Sequence, residues 1–307
     1  MTVSEIRRAE GATGGKIKKR RKGFRELFVF IGYLLPSLAG VSLFFFGPMV
    51  QILVNSFQKS PTNAEFVGLR NYERVLTNDA FQMAGKNTLL FSLMAVPLAV
   101  ILALILALLL NTKLPGRSVF RSMLLNPMMV PVASIVLIWQ VLFSFTGSIN
   151  TYLSDFGIDK IDWMKSDWSR VVILLLFLWK TLGYNMVLFL AALNNVPSEL
   201  IDTSKIDGAG SGRRFFSISL VYLYPTIFFV GIMSLISSFK IFREVYLLTG
   251  DYPFSSLYVL QHFMNNAFRN LDYQKLCAGA IIMALVMILI VGILFLAEFK
   301  LGKEVEE

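Results

Sequence analysis

The chain has 307 residues, of which 55% are hydrophobic and only 16% charged, with a formal net charge of +9. A soluble domain carries about a quarter of its residues as charged side chains, so this composition excludes an ordinary soluble fold and points to a polytopic membrane protein. One cysteine (Cys277) and one histidine (His262) exclude an intrachain disulfide and any thiolate or imidazole metal cluster.

In chain order, residues 1–26 hold nine Lys and Arg against Glu5, Glu10 and Glu26. Such a run reads as a solvated tail drawn to anionic lipid headgroups. No aromatic interleaving supports a nucleic-acid role. Gly15-Lys16 fails as a phosphate loop, because Glu10 stands where glycine is required and Ile17 where Ser or Thr is required. ATP chemistry is therefore expected outside this chain. The first apolar run is too long for a removable signal peptide and lacks a small-residue cleavage site.

Six apolar runs follow, near 27–54, 87–110, 119–143, 171–193, 216–240 and 276–299. Each is long enough to cross about 30 Å of hydrocarbon at about 1.5 Å per residue. Helices are expected, since an open sheet leaves backbone groups unpaired in lipid. Pro36, Pro48, Pro97, Pro127, Pro131 and Pro225 fall within or at the ends of these spans, as kinks or breaks. The expected organisation is a tail over 1–26, an all-α transmembrane domain over 27–299, and a second tail over 300–307.

Between the fourth and fifth spans, residues 195–217 form the long polar interruption of the second half. Pro197 suits a first helical turn, and Glu199 and Asp202 lie where carboxylates favour the helix dipole. Gly208 can end that helix with a positive φ, and Gly210 and Gly212 extend the bend. A short helix, a glycine hinge and a second helix entering the membrane near Phe215 are expected.

Lys and Arg near the span ends give the orientation. With the N-terminal tail inside, nine in the tail, three in 111–121, three in 195–217 and two after Phe299 make seventeen, against eleven on the other side. Both termini and the 195–217 loop are expected on the cytoplasmic face.

The 195–217 loop resembles the EAA loop of ABC importer permeases of the binding-protein-dependent sugar type, the maltose and glycerol-3-phosphate branch. Asp202-Thr203-Ser204 stand at E-A-A, Ile206-Asp207-Gly208-Ala209 match I-D-G-A, and Ile218-Ser219-Leu220 match I-x-L. Thr203, Ser204 and Val221, which replaces a proline, depart from the pattern. Further pieces in the same order are Gly68-Leu69-Arg70-Asn71-Tyr72, Asn87-Thr88, Phe120-Arg121 through Pro127 and Pro131, and Gly147-Ser148-Ile149-Asn150. Trp179-Lys180 and Leu248-Thr249-Gly250 extend the likeness. The resemblance implies the type I ABC importer permease fold, with no catalytic residue in the chain and ATP and Mg bound by a partner ATPase. Glu199, Asp202, Thr203, Ser204, Asp207 and Gly208 would form the coupling helix in a cleft of that ATPase. Implied partners are a second, related permease in a heterodimer, two ATP-binding subunits and an extracytoplasmic solute-binding protein, in a bacterial cytoplasmic membrane.

Substrate chemistry is sought among intramembrane polar residues. A lysine near mid-span costs about 2.5–3.5 kcal/mol on insertion scales and so faces a cavity or a partner. By resemblance, Lys180, Thr181, Ser237 and Lys240 fall on the part that lines the sugar path. Two lysines there suit a carboxylate or phosphate, as in an acidic oligosaccharide or a glycerophosphodiester. The alternative pairs Lys180 with an acid of the partner subunit and lets Lys240 reach the interface. Asn126, Gln140, Tyr184 and Asn185 are candidates to bond sugar hydroxyls, or else helix–helix hydrogen bonds. Trp163 and Trp168 read as interfacial belt residues. A secondary transporter is expected to show intramembrane carboxylates, and spans two to five as drawn contain none. A membrane scaffold is the other competing class.

Overall fold

A computed structural model describes residues 24–112 and 115–306, with side chains over 29–112 and 115–300. The basic tail lies almost wholly outside these residues, as do Lys113 and the side chain of Lys303. Among the described residues the regular structure is helical, with one isolated bridge between Gln58 and Phe66 and short irregular connections. Six helical runs among these residues are long and apolar enough to cross a membrane.

The chain divides into two compact units, residues 1–54 and 55–307. The first contains α1 (Phe24–Val41), a π-helical turn (Ser42–Phe46) and the start of α2 (Gly47–Ser56). From Val29 to Val54 every residue of this unit except Gly40 is exposed.

The second unit continues with α3 (Arg70–Leu76), α4 (Asp79–Leu110), α5 (Arg117–Met129), α6 (Val132–Phe143) and α7 (Ser148–Asp155). After these come α8 (Ser169–Asn194), α9 (Ser198–Ile206), α10 (Ser211–Arg214), α11 (Leu220–Phe239), α12 (Phe242–Thr249), α13 (Leu260–Arg269) and α14 (Tyr273–Glu306). Helix α8 is the centre. It packs on α4 through Ala95, Ala99, Ala103 and Ala107, all fully buried at about one residue per turn. Small side chains at this spacing let two helices approach closely where lipid supplies no hydrophobic drive. On its α5 side the contact is closer still: a Cβ at Gly183 would stand 1.9 Å from the Leu124 carbonyl oxygen.

Several element ends differ from the expected spans. Helix α4 starts at Asp79, eight residues before 87, because the Asn78 side chain caps it by accepting from Ala80 N–H at 3.1 Å and Phe81 N–H at 3.2 Å. The expected 119–143 span is two helices. Pro131 bars its predecessor from helical geometry, and Val130 is extended at φ −78°, ψ 132°. The fifth run does not end at Lys240: after a break at Lys240–Ile241 it resumes as α12, so one apolar stretch reaches from Ser211 to Thr249.

Buried amides fix the loops. Asn71 donates to the Ser56 and Gln58 carbonyls at 2.9 and 2.8 Å, and the Tyr72 hydroxyl meets Ser56 Oγ at 2.6 Å. Asn150, fully buried, donates to the Ile161 carbonyl at 2.8 Å and accepts from Trp163 Nε1 at 2.9 Å. Trp163 also packs edge-on against Phe143, so it is a core residue rather than a belt residue, while Trp168 is half exposed.

Candidate functional site

Helix α9 begins after Pro197, which sits just outside the helix at φ −58° rather than within its first turn. Glu199 lies in the first turn, where the dipole favours it. The helix closes on Gly208 at φ +75°, and the Ala209 N–H reaches back to the Ser204 carbonyl at 2.9 Å. Glu199, Asp202, Thr203, Asp207 and Gly208 are exposed and Ser204 is half-buried, its hydroxyl bonded to the Ile201 carbonyl at 2.7 Å. Asp202 pairs with Lys205 of its own helix at 2.7 Å. Leu200 and Ile206 are exposed beside them. The result is a short, solvent-facing helix with a mixed acidic and apolar surface.

A cavity of about 640 Å³ lies between α8, α11 and α12, with Met128 of α5 and Gln261 of α13 at its edges. Phe177, Lys180, Thr181 and Tyr184 line it at the i, i+3, i+4, i+7 spacing that puts them on one face of α8. Ser234 and Ser237 come from α11, Lys240 from the break, and Arg243 and Glu244 from α12. Of the expected path residues, Lys180, Thr181, Tyr184, Ser237 and Lys240 thus meet at one cavity. Asn126 and Gln140 do not line it and are exposed.

Glu244, close to Lys240 in the sequence, was given no role among the expected path residues. It is 4% exposed, and Lys180 donates directly to its carboxylate; Arg243 stands 4.0 Å away. An acid that holds Lys180 therefore lies in the same chain. It also corrects the statement that spans two to five lack carboxylates: the helical run extends past Lys240, and the break turns α12 so that Glu244 faces α8. Lys240 has no carboxylate within ion-pair distance among the described residues. Three cations and one carboxylate thus line the cavity.

The polar residues between them are held by the helices. Asn185 donates to Ser234 Oγ at 2.9 Å, and Thr181 and Ser237 hydroxyls donate back to the Phe177 and Met233 carbonyls, both at 2.8 Å. Their hydroxyl oxygens remain acceptors toward the cavity. Next to Gln261, His262 is fully buried between the rings of Phe242 and Tyr258. The Val259 N–H donates to its Nδ1 at 3.3 Å, which leaves the proton on Nε2. Burial lowers this imidazole from 6.5 to about 4, against a small opposing pull from Asp251.

Residues 95–303, two thirds of the chain and the whole of helices α5 to α13, match the family described as the binding-protein-dependent transport system inner membrane component. The chain belongs to this family. It is 33% identical over 214 residues to the arabinooligosaccharides transport system permease protein AraP of Halalkalibacterium halodurans, covering 68% of this chain and 67% of that one. It is 31% identical over 280 residues to the lactose transport system permease protein LacF of Rhizobium radiobacter, covering 89% and 93%. A bacterial alginate ABC transporter, solved with its alginate pentasaccharide-bound periplasmic protein, superposes with a TM-score of 0.80 at 20% identity, covering 90% and 96%. The last likeness shows the fold: six-helix, multi-pass, of the ABC importer permease class. The permease is of the sugar-transport type, and the family is a membrane component rather than an enzyme.

Proposed function

We propose that this permease forms one half of the path of an ATP-driven importer, and that a saccharide passes through the cavity at Lys180. The observation that carries the reading is that cavity's lining. Aromatic faces from Phe177 and Tyr184 stand beside short hydrogen-bonding groups from Thr181, Asn185, Ser234 and Ser237. Flat apolar surface with a few placed polar atoms is what a sugar ring requires. The surplus of two cations favours an acidic oligosaccharide or a glycerophosphodiester. Relatives named for alginate and for sn-glycerol-3-phosphate transport support that class. Because Glu244 offsets Lys180, the preference rests on Lys240 and Arg243.

A half-path needs a second, related permease, proposed as a heterodimer partner. Two ATPase subunits, which bind ATP and Mg, dock on Glu199, Asp202, Thr203, Ser204, Asp207 and Gly208 from the cytoplasm. An extracytoplasmic binding protein delivers substrate at the opposite face, in a bacterial cytoplasmic membrane with both termini inside. ATPase closure pushes α9 and tilts the spans it joins.

The experiment is saccharide uptake and ATP hydrolysis in proteoliposomes holding both permeases and the ATPases, with the loaded binding protein added. Expected is hydrolysis stimulated by the loaded binding protein and lost in Thr203→Pro. Uptake without ATP, as in a secondary transporter, or full stimulation in Thr203→Pro contradicts the proposal.

A further inference from the structure

A second cavity, about 150 Å³, lies between α4, α8 and the stretch from Ile241 to Val259. Leu90, Phe91 and Met94 of α4 face Leu174 of α8 and Val245 and Leu257 across it. The polar groups among its lining residues are Asn87, Arg170 and Ser256. Two of these are satisfied within the protein. Asn87 spends both amide protons on the Ser255 and Tyr258 carbonyls, at 2.7 and 3.0 Å, and Ser256 Oγ meets Ser169 Oγ at 3.0 Å. Arg170 is not. One guanidinium nitrogen donates to Asn87 Oδ1 at 3.3 Å, which fixes its position, and no carboxylate lies within ion-pair distance among the described residues.

Its depth matters. Arg170 is the second residue of α8, at the boundary where that helix turns apolar, and Leu174 is one turn further in. On α4, Lys86 precedes Leu90 by one turn and Met94 by two, on the same stripe, and is exposed with no carboxylate partner of its own among the described residues. Both helices therefore carry a cation with apolar side chains one turn further along.

We propose that this slot binds an anionic phospholipid, its phosphate on the Arg170 guanidinium beside Lys86 and one acyl chain between Leu90, Met94 and Leu174. A soluble anion leaves the apolar walls uncovered, and a zwitterionic lipid supplies no net charge to offset two cations. The slot's volume is too small for a helix of another protein. This site is separate from the saccharide path and does not depend on it, although Ile241 lines both cavities.

The test is native mass spectrometry of the full-length chain, released from nanodiscs of phosphatidylglycerol or phosphatidylcholine with identical acyl chains. One phosphatidylglycerol should be retained about fivefold more tightly than phosphatidylcholine. Arg170→Gln should erase the preference, Arg170→Lys should keep part of it, and Leu174→Trp should expel the lipid with the charge intact. Should Leu174→Trp misfold, quenching of Trp168, two residues before Arg170, serves instead. Brominated phosphatidylglycerol should quench it more than brominated phosphatidylcholine in the wild type, and equally in Arg170→Gln. Equal retention of the two lipids by the wild type, an undiminished preference in Arg170→Gln, release of the bound lipid by soluble glycerol phosphate, or photocrosslinking from position 174 to a protein chain would overturn the proposal.

Discussion

Lys180 of α8 and Glu244 of α12 form an ion pair across a break in the fifth apolar run, and the carboxylate is buried while the ammonium opens to the cavity. Removing one member of such a pair leaves an uncompensated charge, at a cost of about 3–5 kcal/mol. Lys180→Gln and Glu244→Gln should therefore each lower the thermal unfolding midpoint clearly. The double variant should be more stable than the sum of the single losses implies. A thermal shift series over the four proteins measures the coupling; strict additivity would show that the two side chains do not interact.

Gly183 is a steric fixture rather than a hinge. Any side chain there meets backbone, the Leu124 carbonyl at 1.9 Å, so α5 and α8 must separate. Gly183→Ala should destabilise by about 1–3 kcal/mol or more. Gly210→Ala has open space and an ordinary φ of −65°, and should be neutral. Comparing the monodisperse yield and unfolding midpoint of the two variants checks this.

His262 is the sole histidine, so its substitution isolates the imidazole from the carboxylates that titrate in the same range. Its folded value of about 4 lies below the ordinary 6.5. Above pH 6.5 the imidazole is neutral in both states and the fold keeps its full stability. As pH falls from 6.5 towards 4, only the unfolded chain takes the proton, and up to about 3 kcal/mol is lost. The unfolding midpoint of the wild type should drop over this window more steeply than that of His262→Gln. Parallel curves would refute the buried neutral imidazole.

Gly208 takes φ +75°, a region that costs a residue with Cβ about 1–2 kcal/mol. Gly208→Ala should weaken the end of α9 and, with it, attachment of the ATPases proposed to dock there. Gly208→Asn, which tolerates left-handed geometry, should retain most of it. Pull-down of the ATPase subunits by each variant decides the matter.

Much of this was legible in the sequence, for physical reasons. Long apolar runs can only be helices in lipid, and Pro197 and Gly208 bracket a helix whatever surrounds it. Lysines inside apolar runs need a cavity, and Lys180 and Lys240 have one. Glu244 was missed because hydropathy ended its run at Lys240, and only the break at Lys240–Ile241 brings the acid back onto α8. Asn126 and Gln140 looked equivalent to Tyr184, but periodicity does not say which face of a helix meets a cavity, and Pro131 separates the two helices that carry them. The amides of Asn71, Asn87 and Asn150 bind backbone carbonyls that are distant or irregular, so their clamping role exists only in three dimensions. The alanine stripe at 95, 99, 103 and 107 was a readable signal of close helix packing.

The proposed path is tested most directly by substrate protection of a single thiol. In the assembled importer with Cys277→Ser as background, Ser237→Cys places a thiol on the cavity wall and Gln140→Cys places one away from it. The transported saccharide should slow alkylation at position 237 and leave position 140 unchanged. Equal alkylation at 237 with and without a saccharide that is being transported would contradict the claim that sugar passes beside Lys180.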